Sequence, residues 1–207
     1  MMDPKYILEG LGAKDYEFIG YELKESGYLY HVKPQESEYI CHNCGSVNVR
    51  TRGFVTRMLK TVPLGETPNT LAVHTPRLEC KDCNKISMLQ LSIAEPRKTY
   101  TKKLAQYIIN IYKYMTIYSL AALVCLSWRT IRDIISKHLV IYKDNINLKS
   151  TKRILIDEFT THKGHKYATV VLDADTDKIL YVAAGRKEKS LRPFWELLGE
   201  EGRKRIK

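Results

Sequence analysis

Apolar and polar residues alternate along much of the first half of this chain, which is the pattern of half-buried β-strands. Residues 16–33 alternate on either side of Glu25-Ser26-Gly27, which predicts a hairpin that turns at those three residues. Two further alternating stretches, residues 47–62 and 70–78, predict a second pair of strands joined by a turn. Before them, residues 5–12 have the spacing of a short helix.

The spacing becomes helical in the middle of the chain. Residues 101–116 have apolar positions every three or four residues, at Leu104, Ile108, Ile111 and Met115. Residues 119–126 predict a short helix with Ser119 as its cap. Ser127 then caps a third predicted helix, whose apolar face contains Ile131, Ile134, Ile135 and Leu139.

After a polar and basic segment, Lys143 to Arg153, the pattern returns to strands. Three runs of β-branched and apolar residues, 153–159, 167–173 and 178–186, predict three strands. Residues 190–207 predict the start of a helix, which packs onto the sheet through Phe194 and Trp195. The chain is therefore predicted to be of the α+β class, with several domains.

The charge is strongly basic and unevenly distributed. The 207 residues include 34 Lys and Arg against 23 Asp and Glu, a net charge of +11; residues 1–40 carry −4 and residues 41–207 carry +15. This balance favours a polyanionic partner such as nucleic acid, although a solvated lysine-rich surface has the same charge. The sequence has no run of ~18 apolar residues, and its start does not have the pattern of a signal peptide. We therefore expect a cytoplasmic protein with no membrane partner and with reduced thiols.

Four of the five cysteines form two C-x-x-C pairs, Cys41 with Cys44 and Cys80 with Cys83. Two-residue spacing lets both thiolates of a pair bind one ion, and four sulfur ligands leave no position open for water or substrate. The sequence therefore predicts a zinc ribbon that holds a structural Zn²⁺.

The residues around these pairs leave some alternatives open. Gly45 and Asn84 follow the two pairs and are residue types that tolerate the positive φ of such turns. His42 and His74 are candidates to replace a cysteine ligand, although ordinary surface histidines are the simpler interpretation. A redox-active pair would need a neighbouring βαβ unit, which the pattern lacks. Cys125 lies in an apolar stretch and is predicted to be a buried core thiol.

Residues 119–142 have the pattern of a helix-turn-helix, although the turn lacks the usual glycine. In this motif, the first part of the second helix meets base edges in the major groove of DNA. The residues predicted to contact the bases are therefore Trp128, Arg129, Thr130 and Arg132. Phosphate contacts are predicted for Lys137 and for four residues of the basic segment, Lys143, Lys149, Lys152 and Arg153. The alternative is a plain three-helix unit with solvated charges.

Asp157 follows the apolar run Ile154-Leu155-Ile156, which predicts a strand that is buried on both faces. A carboxylate there is costly unless it is paired or binds a cation. Three further aspartates lie in a connection between strands and are predicted to be hydrated turn residues: Asp173, Asp175 and Asp177. Two histidines are predicted to lie in a solvated loop: His162 and His165.

Taken in order, the double C-x-x-C, the helix-turn-helix and the segment IDEFTTHKGHKYATVVLDADTDKILYVAAGRK resemble the insertion-sequence transposases of the ISL3 family. The resemblance covers essentially the whole chain. It implies a zinc finger at the four paired cysteines, a DNA-binding region at residues 119–142 and the beginning of a ribonuclease-H-like DDE catalytic domain. Asp157 matches the first of three catalytic carboxylates, which together hold two divalent ions such as Mg²⁺.

The resemblance also implies four domains and a limited activity. The domains are an N-terminal helix and hairpin region (1–40), a zinc ribbon (41–98), the helix-turn-helix (99–145) and an incomplete catalytic domain (146–207). The family's second Asp and its Glu would lie beyond residue 207, so we expect a truncated transposase that uses Mg²⁺ only if that domain is completed. We expect it to bind double-stranded DNA at the terminal repeats of its element, alone or as a homodimer, and neither to nick nor to join DNA. The alternatives are a regulator that competes with intact transposase, an inert remnant, or an enzyme completed by a second polypeptide.

Overall fold

The computed structural model describes residues 4–144, 146, 148–162, 164 and 166–206, which divide into two units. The first unit is Met1–His138 and the second is Leu139–Lys207, while the finer division into four domains stays a prediction. His165 and the side chains of Lys143 and His162 lie outside what the structure describes. No helix in the described ranges is long and apolar enough to cross a membrane.

The first unit begins with a helix and a five-stranded sheet. Its elements are α1 (Pro4–Leu11), β1 (Tyr16–Lys24), β2 (Gly27–Pro34), β3 (Val49–Leu64), β4 (Thr67–Cys80) and β5 (Ile86–Met88). The strand order is β1-β2-β4-β3, with β5 paired to β4. Both predicted hairpins are confirmed, since β1 with β2 and β3 with β4 are antiparallel. The parallel pairing of β2 with β4 joins them in one sheet.

One face of this sheet is buried together with α1, as the alternation along the strands requires. Leu8 and Leu11 of α1 share a core with Val32, Leu59 and Leu71 of the strands.

The start of β2 approaches the β3–β4 hairpin very closely. Gly27 has φ +109°, and a Cβ at this position would lie 2.0 Å from the carbonyl oxygen of Pro68. Only glycine allows this approach, because it has no Cβ and adopts positive φ without strain.

Three helices follow the sheet: α2 (Lys102–Ile111), α3 (Ile117–Leu123) and α4 (Trp128–Asp144). Ser127 caps α4 as predicted, since its Oγ accepts the N–H of Thr130 at 3.2 Å. The predicted cap of α3 is wrong by three residues. Thr116, rather than Ser119, is the cap, and its Oγ1 accepts the N–H of Ser119 at 3.1 Å.

The helices pack around Leu104, Leu120, Ile131 and other residues of their predicted apolar faces. Met115 was predicted on the buried face but is 38% exposed, because α2 ends at Ile111 and the helical spacing ends there as well. Leu139, also predicted on the buried face of its helix, is 46% exposed.

The second unit contains a three-stranded antiparallel sheet and one helix. The three predicted strands are confirmed as β6 (Ile154–His162), β7 (Lys166–Asp173) and β8 (Ile179–Ala184), in the order β6-β7-β8, and α5 (Arg192–Arg205) follows. Phe194 of α5 is fully buried against Val171 of β7 and Leu180 of β8, and Trp195 packs beside them. The predicted packing of the last helix on the sheet is therefore confirmed.

The prediction that β6 is buried on both faces is wrong. Leu155 and Ile156 point to opposite faces, yet they are 54% and 46% exposed. The physical reason is that β6 is an edge strand, while the core of this unit forms over β7 and β8. Asp157 is therefore in the middle of an edge strand rather than at the end of a buried one.

Candidate functional site

The four paired cysteines converge on one point of the first unit. The Sγ atoms of Cys41 and Cys83 are 3.6 Å apart, as are those of Cys44 and Cys80, and all four lie within 4.8 Å of one another. A tetrahedral ion with metal–sulfur bonds of ~2.3 Å holds its sulfurs about 3.8 Å apart. The four side chains therefore have the spacing of a tetrahedral metal site.

Each cysteine pair lies in a tight backbone turn that directs its sulfurs inward. The N–H of Cys41 donates to the Ser46 carbonyl at 2.8 Å, and the N–H of Cys80 donates to the Lys85 carbonyl at 2.9 Å. Gly45 has φ +74° and Asn84 has φ +54°. The prediction that these two positions need positive φ is therefore confirmed.

A carboxylate that the sequence analysis did not single out connects the two turns. Asp82, between the second pair of cysteines, accepts the Ser46 hydroxyl at 2.5 Å and the Asn48 amide at 2.8 Å. Ser46 Oγ in turn accepts the N–H of Asn48 at 2.9 Å. The only sequence signal for this contact was a short polar side chain inside C-x-x-C, which is a weak one. The contact of Asp82 with Ser46 and Asn48 holds the two cysteine turns, and so the two pairs of sulfurs, at a fixed distance from each other.

Backbone donors act on the sulfurs themselves. The N–H of Cys83, and then that of Asp82, lower the pKa of the Cys80 thiol to about 7. The N–H of Ser46 lowers the pKa of the Cys44 thiol, but the Cys80 sulfur, burial and the Cys41 and Cys83 sulfurs together raise it to about 12. Of these two thiols, Cys80 is therefore the more readily deprotonated.

The two candidate histidines lie outside the cysteine cluster. His42 Nε2 is 2.7 Å from the amide nitrogen of Gln90. His74 stacks on His31, with 3.3 Å between His74 Nε2 and His31 Nδ1. Among the described residues, the four cysteines are the one group of three or more potential ligands that converge.

Cys125 was predicted to be buried in the helical core, and this is wrong. It is exposed and lies in the turn between α3 and α4 with φ +51°. The residue takes the left-handed conformation that glycine usually provides in such a turn, and this turns its side chain away from the core.

The predicted base-contacting residues lie on the first turns of α4. Ile131 is buried, whereas Trp128, Arg129 and Arg132 are exposed and Thr130 is half-buried. The guanidinium groups of Arg129 and Arg132 lie 5.6 and 5.4 Å from the Trp128 ring centre. These contacts gather two cations and an aromatic ring on the exposed side of the helix.

The predicted phosphate-contacting residues are divided between the units. Lys137, on α4, lies 3.8 Å from Glu95 in the first unit. Lys149 and Lys152 are exposed in the second unit. Arg153 forms an ion pair with Asp175, so it is already engaged with a carboxylate.

Asp157 does not belong to a cluster of three or more potential metal ligands in the described part of the chain. Its Oδ1 accepts the N–H of Glu158 at 2.7 Å. Asp173, predicted to be a hydrated turn residue, is in the turn but only 7% exposed. Its Oδ1 accepts the N–H groups of Asp175 and Thr176 at 2.8 and 3.2 Å, and these donors replace water.

Comparisons with known proteins match both units of the chain. Residues 38–83 match the zinc-finger of transposase IS204/IS1001/IS1096/IS1165, and residues 154–207 match a transposase family of the ISL3 type with a DDE domain. These two segments contain the cysteine cluster and the Asp157 strand. No solved structure shows significant similarity to the chain.

Two curated relatives extend the similarity over most of the chain. The transposase for insertion sequence element IS1001 of Bordetella parapertussis is 27% identical over 177 residues, which are 86% of this chain and 44% of the relative. The transposase for insertion sequence element IS1557 of Mycobacterium tuberculosis is 23% identical over 192 residues, or 89% of this chain and 43% of the relative. The chain thus spans less than half the length of these relatives.

Proposed function

The chain belongs to the ISL3 family of insertion-sequence transposases, and we propose that it recognises double-stranded DNA at the terminal repeats of its element. In this proposal α3 and α4 form a helix-turn-helix, and the start of α4 lies in the major groove. The zinc ribbon supports this region, and the second unit contributes the first strands of a ribonuclease-H-like domain.

The exposed start of α4 is the single observation that carries the proposal. Its buried side packs through Ile131, while Trp128, Arg129 and Arg132 occupy the opposite, exposed side. Arginine binds guanine through paired hydrogen bonds, so two arginines within the first two turns of a helix suit base reading. The net charge of +11 favours approach to the polyanion.

The cysteine cluster supports a structural Zn²⁺ in this proposal. Four sulfur ligands at tetrahedral spacing are the donor set that zinc prefers, and they leave no position for a substrate. A bound zinc ion would stabilise the two turns that hold the cysteines, one before β3 and one at the end of β4.

For catalysis we propose only which position of a DDE site Asp157 would occupy. Asp157 would be the first of the three carboxylates of a DDE site, which would hold divalent ions such as Mg²⁺ and so supply Lewis-acid chemistry at the attacking and leaving oxygens. Asp157 would supply one oxygen donor to these ions, and further carboxylates would have to complete their ligand set.

The test measures DNA binding by the purified, zinc-loaded 207-residue chain, with fluorescence anisotropy as the readout at two salt concentrations. The probes are duplexes of the repeats that flank the gene and scrambled duplexes of the same composition. A preference above ~10³-fold for the repeats is expected, because this is the usual range for specific DNA binding. Equal, salt-sensitive affinity for both probes would contradict the proposed recognition.

A further inference from the structure

A groove of about 820 Å³ runs along the first unit beside the strands of the ribbon. Its floor is apolar and contains Leu89, Leu91 and Ala94, while Val55 and Met88 line its sides. The basic residues of this groove, Arg77, Arg97 and Lys102, do not form a run in the sequence.

Three cations line the rim of this groove. Arg77 of β4, Arg97 of the following loop and Lys102 of α2 line the groove and are exposed. In the part of the chain that the structure describes, none of these three side chains forms an ion pair or hydrogen bond. Unpaired cations that converge on one groove repel each other, so an anion bound there would stabilise them.

A fourth cation fixes the shape of the rim. The guanidinium of Arg57 donates to the backbone carbonyls of Glu95 and Lys98 at 3.3 and 3.0 Å. These bonds hold the loop that presents Arg97, whose φ of +62° is unusual for a residue other than glycine. Arg57 is therefore a support for the loop, and the three unpaired cations are the binding groups.

The groove adjoins the helix assigned to base reading. Glu95 is the one carboxylate among the lining residues, and its oxygen lies 3.8 Å from Lys137 of α4. The charge of Glu95 is therefore partly offset by Lys137, and this contact links the rim of the groove to α4.

We propose that this groove binds the sugar–phosphate backbone of the same DNA whose bases α4 reads. Phosphates contact Arg77, Arg97 and Lys102, and the apolar faces of the sugars lie against Val55 and Met88. This inference rests on the proposed DNA-binding function and adds a contact surface outside the helix-turn-helix.

The competing occupant is an acidic segment of a second copy, such as the β1–β2 hairpin. Two of its three carboxylates are already engaged, since Glu17 pairs with Lys33 at 3.1 Å and Glu22 pairs with Lys24 at 3.0 Å, which leaves Glu25 of the turn. DNA phosphates carry no such internal partner, so charge complementarity favours DNA.

The experiment measures DNA affinity of the full zinc-loaded chain against salt concentration, with a mixed-sequence 40-base-pair duplex as the probe. The test variant is Arg97→Gln with Lys102→Gln. The control is Lys14→Gln with Lys178→Gln, which removes the same charge at exposed positions outside the groove. Each lost phosphate contact lowers the slope of log affinity against log salt by ~0.9. The slope of the test variant should therefore fall by about 1.8, and the slope of the control should stay nearly unchanged.

The outcomes separate this inference from the function on which it rests. If the unaltered chain binds no DNA, the proposed function fails and the inference fails with it. If the unaltered chain binds and both double variants lose the same slope, only the groove is excluded. If the test variant keeps its slope but changes from dimer to monomer in sedimentation equilibrium, the occupant is a second copy and the inference is wrong.

Acetylation of lysines in the unaltered chain gives a second readout that needs no substitution. With the same duplex present, mass spectrometry should show Lys102 protected at least several-fold and Lys14 unprotected. Equal labelling of Lys102 with and without DNA would overturn the proposal even if the variants fail to fold.

Discussion

Asp82 binds Asn48 across the two turns of the cysteine cluster, with 2.8 Å between its Oδ1 and the Asn48 amide nitrogen. Its other oxygen accepts the Ser46 hydroxyl. The second cysteine turn thus carries the carboxylate, and the segment after the first turn carries both donors. The sulfurs of the two turns are held at their mutual spacing by this contact as well as by any ion they bind.

Asp82→Ala should therefore weaken zinc affinity without removing a ligand. We expect a loss of roughly 10-fold, the lower end of the range for groups that orient metal ligands. A competition titration with a chromophoric chelator measures it. Asp177→Ala removes a carboxylate from a turn in the second unit and serves as the control. Equal affinities for the Asp82 variant and the unaltered chain would contradict this role.

Cys44→Ser should abolish stoichiometric zinc binding, because the hydroxyl is a poor replacement for a thiolate ligand. Cys125→Ser is the matched control, since Cys125 is exposed and lies outside the cluster. Elemental analysis of the purified variants should give less than half an equivalent for Cys44→Ser and one equivalent for the control. Loss of zinc in the Cys125 variant would show that the cluster is assigned wrongly.

Arg129→Ala and Lys149→Ala should affect DNA binding in different ways. Because Arg129 is on the exposed start of α4, its replacement should reduce the difference in binding free energy between repeat and scrambled DNA by about 1–3 kcal/mol. Replacement of Lys149, an expected phosphate contact, should weaken binding to all DNA sequences alike. It should also lower the slope of log affinity against log salt by ~0.9. Anisotropy with repeat and scrambled duplexes separates the two, and identical effects on scrambled DNA would argue against α4 as the recognition helix.

Gly27→Ala should destabilise the first unit by about 2–3 kcal/mol. The added Cβ would meet the Pro68 carbonyl oxygen at 2.0 Å, and the positive φ adds strain. Gly20→Ala is the control, because no atom lies within 4 Å of a Cβ at that position. Urea unfolding should leave the control within 1 kcal/mol of the unaltered chain; similar midpoints for both variants would refute the close approach of β2 to Pro68.

The stability of the second unit should fall in acid through Asp173. The N–H of Asp175, followed by that of Thr176, lowers the pKa of this carboxyl below its ordinary value. A lowered pKa stabilises the fold above the unfolded-state pKa of ~3.9, and this contribution is lost as the pH falls through the lower, folded-state pKa. The unfolding free energy of the unaltered chain relative to Asp173→Asn should be constant above about pH 5 and decrease below it. A difference that is the same at pH 3 and pH 7 would contradict this.

Local features of this protein follow directly from its sequence. A turn at Gly27 and a serine before α4 each act through neighbouring residues, so their spacing alone predicted the hairpin and the cap. The metal cluster joins two C-x-x-C pairs that lie far apart in the sequence, and it was predicted from the ligand chemistry of four cysteines. The three strands of the second unit were likewise predicted from runs of β-branched residues. The α3 cap was misplaced because Thr116 and Ser119 are both good capping residues and lie three positions apart.

The tertiary structure decided which of these elements meet and which residues remain exposed. The exposure of Cys125 was missed because its turn has a positive φ. The sequence did not predict that β2 pairs with β4 or that β6 is an edge strand, because these depend on partners distant in the chain. Arg77, Arg97 and Lys102 come together for the same reason: a strand, a loop and a helix place them around one groove. The periodicity of apolar residues predicts which side of a helix or strand is buried. Strand pairing and helix packing determine which other residues cover that side.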